Sequence, residues 1–261
     1  VRGTDDGRVM CWKGVRYAAP PLGELRFRAP QPPQPWTEPA DATRFGKTCP
    51  QPPVPNFPMN LGAGPDEDCL RLNIWAPSGT RPGDGKPVMV WLHGGAYVLG
   101  SGSQPYYNGQ RLAADGDVIV VTCNYRLGVL GFLDLSEVGF DANVGLRDVL
   151  AALRWVQSNI AAFGGDPQRV TVFGESAGAG LVTTLLAVPA AQGLFSGAIA
   201  QSSPVTSVYD RNRAQRVTAQ VLDFLGISPS EAYRLTQTPV TTLLAATKKA
   251  FDEVPVRNPG T

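Results

Sequence analysis

Val170-Thr171-Val172-Phe173-Gly174-Glu175-Ser176-Ala177-Gly178 is an apolar run that breaks into a serine held between glycines. Leu181, Val182, Leu185 and Leu186 follow at helical spacing, so the segment predicts a strand, a sharp turn and a helix. Only small residues fit around such a turn, because larger side chains collide with neighbouring backbone, and the turn lifts the serine hydroxyl above a sheet. Ser176 is therefore the candidate nucleophile. In a chain with 29 glycines among 261 residues, the Gly-x-Ser-x-Gly spacing takes its weight from the strand and helix around it.

Upstream, Pro87-Val88-Met89-Val90-Trp91-Leu92 reads as a buried strand ending in His93-Gly94-Gly95-Ala96-Tyr97. When a serine oxygen attacks an ester carbonyl, negative charge builds on the carbonyl oxygen, and each preset backbone N–H lowers the barrier by about 3–4 kcal/mol. Glycines let the main chain come that close. Esterases of the α/β-hydrolase type build this site from a glycine loop after one strand and the residue following the nucleophile. The candidate donors are thus Gly95, Ala96 and Ala177.

These motifs resemble those of the type B carboxylesterases, which include bacterial para-nitrobenzyl esterases, animal carboxylesterases and cholinesterases. Glu67-Asp68-Cys69-Leu70-Arg71-Leu72-Asn73-Ile74-Trp75 is similar to the family's EDCLxLN signature, and Gly14-Val15-Arg16-Tyr17-Ala18-Ala19-Pro20-Pro21 with Leu25-Arg26-Phe27 to its N-terminal segment. Asn124-Tyr125-Arg126-Leu127-Gly128 and Ala162-Phe163-Gly164-Gly165-Asp166-Pro167 are similar as well. The likeness runs from Val1 to about Ser203. It implies an α/β-hydrolase fold, with a central, mostly parallel sheet and helices on both faces. It further implies a serine carboxylic ester hydrolase working through an acyl-enzyme, with no cofactor, and a structural ion pair between Arg26 and Glu67.

A serine esterase also needs a general base and a carboxylate that orients it, in the chain order Ser, Asp or Glu, His. The single histidine, His93, precedes Ser176 and belongs to the glycine loop. In the resembled family both missing residues fall past Thr261. Gly197 to Ser202 reads as a further parallel strand, which should have a partner on its far side. Only helix-like segments follow it, over Arg211 to Leu225, Pro229 to Thr236 and Val240 to Phe251. The sequence therefore predicts that residues 1–261 form the N-terminal part of a single α/β-hydrolase domain, whose catalytic His and Glu or Asp come from a separate segment or chain. The alternative is a complete small hydrolase with another arrangement.

Four cysteines allow three full pairings. The resemblance singles out Cys49 and Cys69 as the family's disulfide, leaving Cys11 and Cys123 as buried thiols. A disulfide favours a secreted or periplasmic location over a cytoplasmic one. There is no CxxC pair to suggest a metal. The net charge of +1, with basic residues scattered, gives no nucleic-acid signal. Apolar runs such as Val118 to Val121 fall far below the roughly eighteen residues a membrane span needs.

Further strands are expected over Arg8 to Val15, Leu70 to Trp75 and Val118 to Asn124, and apolar positions recurring from Leu146 to Phe163 predict an amphipathic helix over 144–163. Glu175 reads as a buried residue holding the elbow, and Ser202 matches a family serine near the triad. Tyr97 and Phe132, with Tyr106 and Tyr107, are candidates to line a substrate entrance. The loop between Cys49 and Cys69 holds Phe57 and Met59 but no tryptophan, which disfavours a choline substrate by the same resemblance. Uncharged esters of small to medium size fit best. Two other classes use this fold: a binding or adhesion protein, which in the neuroligins has lost the nucleophile kept here, and an amide or carbamate hydrolase.

Overall fold

The computed structural model describes residues 1–53, 63–206 and 208–257. Phe57 and Met59 lie outside the described residues. The strands are β1 (Thr4–Asp5), β2 (Val9–Arg16), β3 (Arg71–Pro77), β4 (Lys86–Leu92), β5 (Ile119–Cys123), β6 (Gly165–Glu175) and β7 (Gly197–Gln201). They form one sheet in the order β1-β2-β3-β5-β4-β6-β7. β5, β4, β6 and β7 pair in parallel, whereas β1, β2 and β3 add to the β5 edge in antiparallel fashion. The sheet is mixed and mostly parallel.

The helices are α1 (Gln110–Gly116), α2 (Gly128–Phe132), α3 (Val144–Asn159), α4 (Ala177–Ala187), α5 (Arg211–Leu225) and α6 (Val240–Arg257). Successive strand residues point to opposite faces of a sheet, and β5 shows how this sheet is covered. Ile119, Val121 and Cys123 join Val149, Leu153 and Val156 of α3 and Leu181, Val182 and Leu185 of α4 in the main core. Val120 instead joins Trp75 of β3 and Ala113 of α1 in a second cluster. Helices therefore cover both faces, as the alternation of elements predicts. The periodic segment 144–163 is α3 followed by a 3-10 turn over Ile160–Phe163.

A third cluster gathers Phe27, Leu130, Leu222, Leu235 and Leu243, tying α2, α5, α6 and the 3-10 segment Pro229–Thr236 to the N-terminal region. The predicted pair is in place: Arg26 Nε and Nη2 donate to Glu67 Oε1 and Oε2, each at 2.7 Å. β7 is the sheet edge, and among the described residues no strand pairs with its outer side. Four of its five residues are exposed, Ile199 among them.

One expectation is corrected. Cys49 and Cys69 are buried side by side, close enough for one thiol to hydrogen-bond the other, but they are thiols and not a disulfide. Backbone bonds beside the two cysteines explain the proximity: Thr48 N–H donates to Gly64 O at 3.0 Å and Asp66 N–H to Thr48 O at 2.9 Å. Burial pushes the Cys49 thiol well above its ordinary range, with the Cys69 contact adding to the shift, so the reactive thiolate is suppressed. Cys11 and Cys123 are buried thiols, as expected.

Candidate active site

β6 ends at Glu175 and α4 begins at Ala177, so a single residue, Ser176, makes the turn. Its backbone sits at φ 54° and ψ −123°, a conformation that costs a non-glycine residue about 1–3 kcal/mol. Neighbouring bonds hold it there: Ser176 N–H donates to Gln201 O on β7 at 3.0 Å, and Gly180 N–H donates to Ser176 O at 2.9 Å. The small residues around the turn are required by contact. A Cβ on Gly178 would lie 2.0 Å from Leu92 O and 2.8 Å from His93 O, so α4 can dock on the end of β4 only if that position is bare. The Ser176 hydroxyl is half-buried and has no hydrogen-bond partner among the described residues.

The end of β4 brings the glycine loop to the same place. A Cβ on Gly94 would meet Glu175 O at 2.9 Å and Ser176 Cβ at 3.2 Å, so the loop backbone lies directly against the serine. Gly95, Ala96 and Tyr97 all have positive φ, at 120°, 52° and 61°. Val98 and Leu99 N–H both donate to Gly95 O at 3.0 Å, and Gly128 N–H to Tyr97 O at 2.8 Å, which holds the unusual turn. Burial, then the Glu175 carboxylate, raise the Tyr107 phenol, while the nearby Gly94 backbone opposes them. The N–H groups of Gly95, Ala96 and Ala177 donate to no acceptor among the described residues.

His93 is fully buried. Its Nδ1 lies 2.9 Å from Gly94 O and its ring stacks on Tyr125 with centroids 4.3 Å apart and planes 11° apart. Burial pushes its pKa down to about 4, against the Gly94 bond. It is a neutral packing residue of the loop. Tyr97 and Phe132 meet edge to face at 5.1 Å, with the Tyr97 hydroxyl against Gly180 in the first turns of α4.

One other reading differs from the structure. Glu175 is exposed, because it is the last residue of β6 and stands at the open carboxyl ends of the strands. Ser202 is exposed at the end of β7 with φ 54°. Sequence reasoning also missed the partner of Arg126: its Nε and Nη2 donate to Asp148 Oδ2 and Oδ1 at 2.8 and 2.7 Å, both residues being buried. The signal was a lone acid on the apolar face of α3. Cavities of about 150 and 90 Å³ lie away from Ser176, near Trp36 and Arg71 and near Trp75 and Gln110. Among the described residues no His, Cys, Asp and Glu side chains cluster as metal ligands, and no helix is long and apolar enough to cross a membrane.

The comparisons with known proteins agree with this fold. The chain is 48% identical over 238 residues to the para-nitrobenzyl esterase of Bacillus subtilis (strain 168), covering 90% of this chain and 48% of that one. It is 46% identical over 210 residues to carboxylesterase 3B of Mus musculus, covering 78% of this chain and 36% of the relative. A solved structure titled thermophylic PNB esterase superposes with a TM-score of 0.90 at 45% identity, over 98% of this chain and 53% of that one. The chain spans about half the length of such relatives, or less. The family described as the carboxylesterase family matches residues 1–258, and the chain belongs to it.

Proposed function

We propose that this chain carries the nucleophile and the oxyanion donors of a serine carboxylic ester hydrolase. The observation that carries the reading is the strained Ser176 backbone set against Gly94, and relatives named as esterases support the same class. Ser176 Oγ attacks the carbonyl carbon of an uncharged ester of small to medium size. Charge moves to the carbonyl oxygen, where the Gly95, Ala96 and Ala177 amides receive it. Collapse expels the alcohol and leaves the acyl group on Oγ; water then releases the acid.

The proton passes through a histidine oriented by a carboxylate. His93 is unsuited to that part, being buried, neutral and turned to Gly94 O. In this reading the base and its acid come from residues outside these 261, within the same catalytic domain. The test is Ser176→Ala in the whole protein with p-nitrophenyl acetate. Turnover should fall by at least about 10⁴-fold with the fold intact; retained turnover removes the nucleophile.

A further inference from the structure

His93 belongs to the glycine loop, yet its carbonyl is held from outside that loop. The Tyr125 hydroxyl donates to His93 O at 2.6 Å, and the Tyr125 ring carries the His93 imidazole on its face at 4.3 Å. Tyr125 is fully buried and follows β5, the strand beside β4 in the sheet. Its backbone neighbour Arg126 is fixed in turn, since Arg126 N–H donates to Asp148 Oδ2 at 3.0 Å beside the side-chain ion pair. The same His93 carbonyl also lies near Gly178, in the first turn of α4, where an added Cβ would come within 2.8 Å of it and 2.0 Å of Leu92 O. One carbonyl therefore touches both halves of the site: the loop it belongs to and the helix that begins at the serine.

We infer that Tyr125 is a positioning residue for the oxyanion loop, acting through His93. The inference rests on the proposed esterase reading, and it deepens it. The hydroxyl fixes the height of His93 O and the ring fixes the imidazole plane. Nδ1–H is then aimed at Gly94 O, and the next two amides, those of Gly95 and Ala96, are set before substrate arrives. Donors preset in this way act on the charge that develops in the transition state more than on the bound ester. Misplacement of reacting groups by about 1 Å can cost about 100-fold in rate.

The test compares Tyr125→Phe with Tyr17→Phe in the whole protein. Tyr17 is also a buried tyrosine, and its hydroxyl donates to a backbone carbonyl, Asn124 O, at the same 2.6 Å. Among the described residues it makes no hydrogen bond to and no ring contact with the glycine loop's His93. Tyr125→Phe should lower kcat for p-nitrophenyl acetate by about 10- to 100-fold with KM within about twofold, and should weaken a trifluoromethyl ketone inhibitor in parallel. Tyr17→Phe should leave kcat and that inhibition unchanged.

Equal kcat values for Tyr125→Phe and the parent overturn the inference, as does an equal loss in both variants. If Tyr125→Phe does not accumulate as folded protein, His93→Leu is read in its place. Failure of both to fold, with Tyr17→Phe folded, makes the pair structural and overturns the inference too. Ser176→Ala separates the two levels. An inactive Ser176→Ala with a fully active Tyr125→Phe removes only the positioning role, and an active Ser176→Ala removes the esterase reading itself.

Discussion

Arg26 grips Glu67 through two parallel hydrogen bonds of 2.7 Å, and the same guanidinium donates from Nη1 to Leu235 O at 3.0 Å and Thr238 O at 2.8 Å. One side chain thus joins the N-terminal segment, the loop before β3 and the region before α6. The side chains of Arg26 and Glu67 are only 10% and 13% exposed, so neither charge is well solvated without the other.

Removing one partner of such a pair leaves an uncompensated charge, at a cost of about 3–5 kcal/mol. Glu67→Gln should therefore lower the denaturant midpoint of the whole protein by the equivalent of about 3 kcal/mol. An unchanged midpoint would mean that the pair is dispensable.

Acid should weaken the fold through His93. Its folded pKa is depressed to about 4 from an ordinary 6.5, so between those values the unfolded chain binds a proton that the folded one refuses. The stability this residue contributes is complete above about pH 6.5 and is lost as pH falls towards about 4. The full span is about 3 kcal/mol. His93→Phe keeps an aromatic ring on Tyr125 but cannot titrate, so chemical denaturation across pH 4–7 should show a shallower acid slope for it. Parallel curves for variant and parent would contradict the buried, neutral assignment.

Gly178→Ala places a methyl group 2.0 Å from Leu92 O. Backbone cannot yield as a flexible side chain does, so α4 should shift off β4, with a loss of about 1–3 kcal/mol in stability and a sharp fall in turnover. Ordinary activity in that variant would mean that the elbow tolerates movement.

The elbow was legible in the sequence because sterics act locally: Gly174, Ser176 and Gly178 are dictated by the turn itself. The strands were legible too, since Val88 to Leu92 and Val118 to Cys123 are runs that only a buried sheet can absorb. The Asp148 partner of Arg126 was hidden, because an acid on an amphipathic helix names no partner 22 residues away. Tyr125 stands within a legible motif, but its stack on His93 depends on β4 and β5 being neighbours. Glu175 was misread because its exposure follows from its place at the end of β6. The thiol state of Cys49 and Cys69 is likewise no consequence of their spacing.

The proposed function requires one geometry: the Ser176 hydroxyl and the Gly95, Ala96 and Ala177 amides must face one point. The most direct measurement is a crystal structure of the whole protein after reaction with a fluorophosphonate. The account predicts phosphorus bonded to Ser176 Oγ and a phosphoryl oxygen about 2.7–3.1 Å from all three amide nitrogens. A label on another residue, or a phosphoryl oxygen turned away from those amides, would contradict it.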